Sequence, residues 1–115
     1  MMNEQIAALQ SADEYLVNLS EGISNVAGFI NDGKIEEACG LIPAIAEGLD
    51  WIMKVVVLTK EVQKEEILTN DIHEYLDGIV EALESEDYIL VGDLFNYEIL
   101  PILYRIHGQI KEILR

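Results

Sequence analysis

The sequence predicts an all-α fold: an up-down four-helix bundle made of two helical hairpins in a single domain, residues 1–115. Two observations lead to this prediction. Hydrophobic residues recur at alternating intervals of three and four positions in four successive segments, which is the spacing of one helix face. Short polar turns at 31–34 and 84–87 separate the members of each pair, so each pair is expected to fold back on itself.

The first helix is predicted from an apolar stripe that ends at Asn31-Asp32-Gly33, residue types that tolerate left-handed dihedral angles. The stripe consists of Leu9, Ala12, Leu16, Leu19, Ile23, Val26 and Ile30. The second helix has the same spacing, in Ile35, Ala38, Ile42, Ile45, Leu49, Ile52 and Val56. The run "VVVLT" at 55–59 resembles a strand, but no partner strand exists elsewhere in the sequence, so we interpret it as helix.

The third helix is predicted from Leu68, Ile72, Leu76, Ile79 and Leu83. Its joint with the second helix is expected near 58–64, and a break at 69–71 is the alternative, because all three residues there are good helix caps. The fourth stripe consists of Tyr88, Val91, Phe95, Ile99, Ile102, Ile106, Ile110 and Ile113. Ser85 is the expected N-cap of this helix, with Glu86 and Asp87 in its first turn, where the helix dipole favours anions.

Two prolines interrupt the second helix of each hairpin. Pro43 and Pro101 each remove one backbone hydrogen bond, so each is expected either to bend its helix or to divide it. A short helix ending near Cys39 or Gly40, followed by a new helix from Leu41, is as consistent with the sequence as a bend.

The two halves of the chain resemble each other when one is shifted by 53 positions. Leu19, Ile23, Val26 and Ile30 then fall on Ile72, Leu76, Ile79 and Leu83. The turn "NDGK" falls on the turn "ESED". Internal duplication is therefore a hypothesis that the sequence supports.

The net charge of -15 restricts the function classes. Phosphates would be repelled, which argues against nucleic acid and against an anionic membrane surface and favours basic protein partners. No apolar run reaches the length of a membrane span, and the acidic N-terminal stretch does not resemble a signal peptide. A single cysteine, Cys39, excludes an intrachain disulfide. We expect a cytoplasmic protein.

The second helix of each hairpin is more apolar than an outer helix of a bundle needs to be. Either the other helices enclose it, or it presents a second apolar face to a partner: a homodimer, a bound helix or an apolar ligand. The candidate partner-binding or oligomer face comprises Trp51, Met53, Val55, Val57, Tyr97 and Pro101.

The sequence lacks the usual catalytic and metal-binding motifs. Two distant histidines and one cysteine do not form a zinc motif, and the glycines do not have the spacing of a phosphate loop. Acidic pairs three residues apart do occur, at 71 and 74, 81 and 84, and 84 and 87. They allow a magnesium-dependent hydrolase as an alternative, but the region has almost no Lys or Arg to hold a substrate phosphate. We expect no catalytic residue, no metal ligand and no cofactor.

The stretches "EACGLIPAIAEGLDWI" and "YILVGDLFNYEILPILYRI" resemble a family of small acidic helical domains of unknown function from Gram-positive bacteria. The resemblance covers residues 16–110 and implies a compact helical bundle. It implies no activity and no catalytic residue.

The leading functional hypothesis is a non-enzymatic interaction or adaptor bundle that self-associates or binds a partner helix. The alternatives are the metal-dependent hydrolase that uses the acids near the second hairpin turn, and an export-chaperone-like holder of an amphipathic segment.

Overall fold

The computed structural model describes residues 2–115, and no strand occurs in that range. The predicted all-α class is therefore confirmed. The elements are α1 (Met2–Asn31), α2 (Ile35–Leu58), a short 3-10 turn (Lys60–Val62), α3 (Asn70–Glu84), α4 (Tyr88–Asp93), a π-helical segment (Leu94–Ile99) and α5 (Leu100–Leu114). The last three follow one another without a break and form one continuous rod, residues 88–114, called the last rod below.

α1 carries the stripe that the sequence predicts. Six of its seven residues, Leu9 to Val26, are buried, and Ile30 is half-buried at the end of the helix. Thirty residues at about 1.5 Å per residue reach about 45 Å. The long axis of the molecule is 45 Å, so α1 runs along the whole bundle.

α1 packs against α2 on one side and against the last rod on the other, while α3 packs on the last rod. Contacts across each pair progress in opposite directions along the two partners. Tyr15 meets Trp51 with ring centroids 5.5 Å apart, and Gly22 lies beside Ile45. Each of these neighbouring pairs is therefore antiparallel.

The contacts of the last rod follow the same rule. Asp13 of α1 contacts His107, whereas Ile30 of α1 lies beside Gly92. On the other side, Gly78 of α3 lies beside Leu94. As a consequence, the turns at 31–34 and 84–87 meet at the same end of the bundle, which we call the turn end.

These two turns have the same backbone geometry. Lys34 donates its amide hydrogen to the carbonyl of Phe29, and Gly33 donates to Ile30; Asp87 donates to Ala82, and Glu86 to Leu83, in the same pattern. The positive φ angles, 77° at Gly33 and 56° at Glu86, also fall at equivalent positions under the shift of 53 residues. An internal duplication would produce this agreement, and duplication stays a prediction.

The predicted cap of the fourth helix is wrong. Ser85 is instead the C-cap of α3, which ends at Glu84. α4 begins at Tyr88 with Asp87 as its N-cap, and the Asp87 carboxylate accepts a hydrogen bond of 3.2 Å from the amide of Leu90. Glu86 and Asp87 therefore precede the helix rather than occupying its first turn. The amides of Ser85, Glu86 and Asp87 donate hydrogen bonds back to carbonyls of α3. The new helix therefore begins only after Asp87, and the Asp87 side chain is in position to cap it.

The joint between α2 and α3 extends from the predicted position near 58–64 up to the alternative break at 69–71. α2 ends at Leu58 and α3 begins at Asn70, so Leu68 lies outside the helix in which the sequence places it, and it is exposed. The Gln63 side chain donates a hydrogen bond of 2.8 Å to the carbonyl of Val56 and accepts one of 3.0 Å from the amide of Ile67. The side chain thereby replaces backbone partners that a helix end lacks.

The two prolines behave differently. α2 continues through Pro43. Pro101, in contrast, is the second residue of α5, and only Leu100 separates it from the π-helical segment. Leu100 closes that segment by donating its amide hydrogen to the carbonyl of Phe95, five residues back. The change from π-helical to α-helical hydrogen bonds therefore occurs next to Pro101, which has no amide hydrogen to donate.

Candidate interaction groove

Large apolar side chains project into solvent along one side of the last rod. Ile89, Tyr97 and Tyr104 are 75%, 67% and 57% exposed, and Pro101 lies among them on the surface. Isolated exposed apolar residues are ordinary on a monomer, whereas a row of them along one rod indicates a contact surface.

The facing wall on α1 is built from small side chains. Ser20, Ser24, Ala27, Gly28 and Asn31 line the space between α1 and the last rod. A side chain added at Gly28 would meet no other atom within 4 Å, so the wall leaves open space rather than packing against its neighbour. Small residues let the backbone of another helix approach closely.

Two recesses lie next to each other along this interface. One, of about 560 Å³, lies between the end of α1 and the start of the last rod and is lined by Ile89 and Tyr97. The other, of about 430 Å³, lies further along and is lined by Val17, Tyr104 and His107. Ser24 belongs to both linings. We call the two neighbouring recesses together the α1–rod groove.

The π-helical segment determines which side chains of the last rod point into the core and which point outward. Phe95 is completely buried and anchors the segment in the core, while Tyr97, two residues later, points outward. On the side of the rod that faces α3, the Glu98 carboxylate near the Tyr75 hydroxyl raises the pKa of Tyr75. π-Helical turns are rare and occur frequently at functional sites.

An ionic cluster joins α1 and α5 at the far end of the groove. His107 Nε2 lies 2.6 Å from Asp13 Oδ1, and Lys111 Nζ lies 3.2 Å from the same oxygen. The hydrogen bond with His107, together with the Lys111 charge, holds the pKa of Asp13 below its ordinary value of 3.8 although partial burial opposes this. The only histidine of the groove lining is therefore already engaged by a carboxylate.

The six residues of the predicted partner face do not form one surface: four lie on two separate surfaces and two are buried. Tyr97 lines the α1–rod groove, and Pro101 follows on the same rod. On α2, Val57 is exposed and Trp51 packs edge-on against Tyr15. Met53 and Val55 are only 8% and 4% exposed and belong to the hydrophobic core.

Sequence reasoning missed Ile89 and Tyr104, although a signal was present. Both are large apolar residues that lie outside the stripe predicted for the fourth helix, and a bundle needs only that stripe for its core. The small residues Ser20, Ser24, Ala27 and Asn31 of α1 lie at intervals of four, three and four, and Gly28 lies beside Ala27.

The acidic pairs considered for a hydrolase do not converge. Within residues 2–115, no group of three or more His, Cys, Asp or Glu side chains is placed to hold a metal ion. Glu84, Glu86 and Asp87 are exposed at the second turn. Over the same residues, no helix combines the length and the apolar character needed to cross a bilayer.

Comparison with known proteins assigns a family. The family described as "Domain of unknown function (DUF8042)" matches residues 7–109, which include all of the α1–rod groove. No curated protein and no solved structure matches the chain. The resemblance to helical domains of unknown function is thus confirmed at the level of the family, and the chain belongs to the DUF8042 family.

Proposed function

We propose that this protein is a non-enzymatic interaction module that binds a helical segment of a partner protein in the α1–rod groove. The observation that carries the proposal is the row of exposed apolar side chains, Ile89, Tyr97 and Tyr104, opposite a wall of small residues on α1. Burying such side chains against a partner contributes about 25 cal/mol per Å² of apolar area removed from water.

The shape of the groove supports a helix as the occupant. The groove follows α1 from Val17 to Asn31, about four turns of helix, and its two recesses are open to solvent on one side. An amphipathic helix laid along it would add a further rod to the bundle and would place anchor residues at intervals of three and four. Aromatic residues such as Tyr97 and Tyr104 are the residue types that dominate interface energies.

The test is site-specific photo-crosslinking in cells. A photoreactive amino acid is introduced in place of Tyr97 in one variant and of Val57 in another, since Val57 is equally exposed on the other surface. We expect the variant at 97 to crosslink one protein through a helical segment, and the variant at 57 not to do so. The combined substitution Tyr97→Ala and Tyr104→Ala should abolish co-purification of that protein, whereas Val57→Ala should retain it.

Two other occupants produce different results in the same experiment. Self-association would yield crosslinks between copies and a dimer in sedimentation equilibrium that Tyr97→Ala dissociates. An export-chaperone-like role would yield crosslinks to one client protein, and these crosslinks would be lost once the client has been released at its destination. Crosslinks at 97 and 57 to the same unrelated mixture of proteins would contradict docking in the groove.

We also propose a reducing, cytoplasmic and bacterial setting. The support is the single cysteine, Cys39, which is free, together with the resemblance of the sequence to bacterial domains. Fractionation of the producing cell tests the setting, and recovery from an extracellular fraction would contradict it.

A further inference from the structure

The charge of the molecule is distributed unevenly along its long axis. The two tight turns and the adjoining helix ends carry acidic side chains, among them Asp32, Glu36, Glu84, Glu86, Asp87 and Asp93. Lys34 is the basic residue of this region. Since the antiparallel packing brings both turns to one end, these charges reinforce one another rather than lying at opposite ends.

The opposite end contains most of the lysines and arginines. They are located in the second half of α2, in the joint that follows it and in α5, at Lys54, Lys60, Lys64, Arg105, Lys111 and Arg115. Several are already paired: Lys54 with Asp50 at 2.9 Å, Lys111 with Asp13, and Arg115 with Glu112 at 2.8 Å. The negative potential of the molecule therefore rises toward the turn end.

The same asymmetry is present inside the α1–rod groove. Its acidic and basic lining residues are Glu21, Asp93 and His107. His107 is bound to Asp13, and within residues 2–115 no ion pair involves Glu21 or Asp93. The charge left unneutralised in the groove is therefore negative, and Asp93 lies in the recess nearest the turn end.

We propose that the occupant of the α1–rod groove is a basic amphipathic helix, oriented so that its Lys- and Arg-rich end lies over the turn end of the bundle. This inference rests on the proposed function and specifies its partner. Apolar anchors of the helix would contact Ile89, Tyr97 and Tyr104, while its basic residues would face Glu21, Asp93 and the acids of the two turns. Charge complementarity of this kind fixes orientation and accelerates association.

The charge distribution disfavours a second copy of this chain in the groove. Each copy carries a net charge of -15, and both ends of the molecule keep unpaired carboxylates, so that a symmetric pair would bring like charges together. A basic helix removes that repulsion instead of adding to it.

The experiment uses three synthetic helical peptides as probes. They share one leucine-rich apolar face and differ in their flanking residues, which are Lys, Gln or Glu. Fluorescence anisotropy with the full chain should show the Lys peptide binding about tenfold more tightly than the Gln peptide, the size of effect expected from a few exposed charge pairs. The Glu peptide should bind most weakly, and added salt should reduce the difference.

A charge-matched pair of variants locates the preference. Asp93→Asn combined with Glu21→Gln should reduce the advantage of the Lys peptide, whereas Glu74→Gln combined with Asp77→Asn, the same charge change on α3, should leave it unchanged. A spin label at the basic end of the Lys peptide should broaden NMR signals of the turn end. Broadening at the opposite end would overturn the orientation.

Failure of this inference differs from failure of the proposed function. Equal binding of all three peptides, lost on Tyr97→Ala, overturns the charge preference and leaves the groove as the docking site. Absence of binding by every peptide, or binding that Tyr97→Ala does not change, overturns both.

Discussion

The tightest conformational constraint on single residues lies at the two turns. Gly33 and Glu86 occupy equivalent positions and both have positive φ, 77° and 56°. Glycine adopts this region without steric cost, whereas the Cβ of other residues approaches the following carbonyl oxygen. Glu86 is therefore the strained member of an otherwise matched pair, and the backbone bonds of the turn hold it there.

Glu86→Gly should increase the free energy of unfolding by about 0.5–1 kcal/mol, since relief of the left-handed strain exceeds the entropy lost by glycine on folding. Gly33→Ala, which introduces the same strain into the first turn, should lower it by about 1 kcal/mol. Urea unfolding followed by circular dichroism measures both changes. A decrease in stability for Glu86→Gly would show that its side chain has a stabilising contact that outweighs the backbone strain.

At the scale of elements, the start of the last rod depends on one side chain. Asp87 accepts the amide hydrogen of Leu90, one of the donors that a helix start leaves without a partner. Its negative charge also interacts favourably with the helix dipole. The sequence contains a second residue of capping type, Ser85, and only the register of the turn decides between them.

Asp87→Ala should therefore destabilise the protein by about 1 kcal/mol. Ser85→Ala, two positions earlier and equally exposed, should change stability by less than about 0.5 kcal/mol, because no cap depends on it. Thermal melts of the two variants beside the wild type make the comparison. Equal losses for both would mean that the turn adopts a different register in solution.

At the scale of the whole molecule, the first and last helices are joined by the cluster of Asp13, His107 and Lys111. The cluster links residues 94 positions apart in the sequence. It lies near the far end of the bundle, away from the two tight turns, where the chain itself does not connect α1 with α5. It therefore stabilises the packing of α1 against α5 at that end.

The pH dependence of stability should reflect this cluster. The pKa of Asp13 is lowered in the folded state, chiefly by the hydrogen bond with His107. Its stabilisation is therefore fully present above the unfolded value of 3.8 and is lost as the pH falls through the lower folded value. Asp13→Asn should be less stable than the wild type at neutral pH, and the difference should shrink below pH 3.8.

Urea unfolding at several pH values measures this difference, and Glu14→Gln, the adjacent exposed acid, is the control. A constant difference across the acid range would contradict the role of the cluster.

How far the sequence predicts the structure depends on the range of the interaction. The stripe of α1 is local, and its buried residues are those expected from the helical spacing. The cap at Asp87, the π-helical segment before Pro101 and the burial of Met53 and Val55 do not follow from that spacing. Each depends on the turn register, a missing amide donor or the position of a neighbouring helix. For the groove, the sequence singled out Tyr97 and Pro101, whereas Ile89, Tyr104 and the small wall of α1 required the packing.

The all-α class, the order of the amphipathic helices, the two tight turns and the acidic character of the chain can all be read from the amino-acid sequence. These follow from periodicity, residue types at turns and the count of charges, all of which act over a few residues or need no geometry. Helix packing, in contrast, determines which apolar residues remain exposed and brings both acidic turns to one end of the bundle. Both depend on which helix packs against which, and amphipathic stripes of similar width allow several such arrangements.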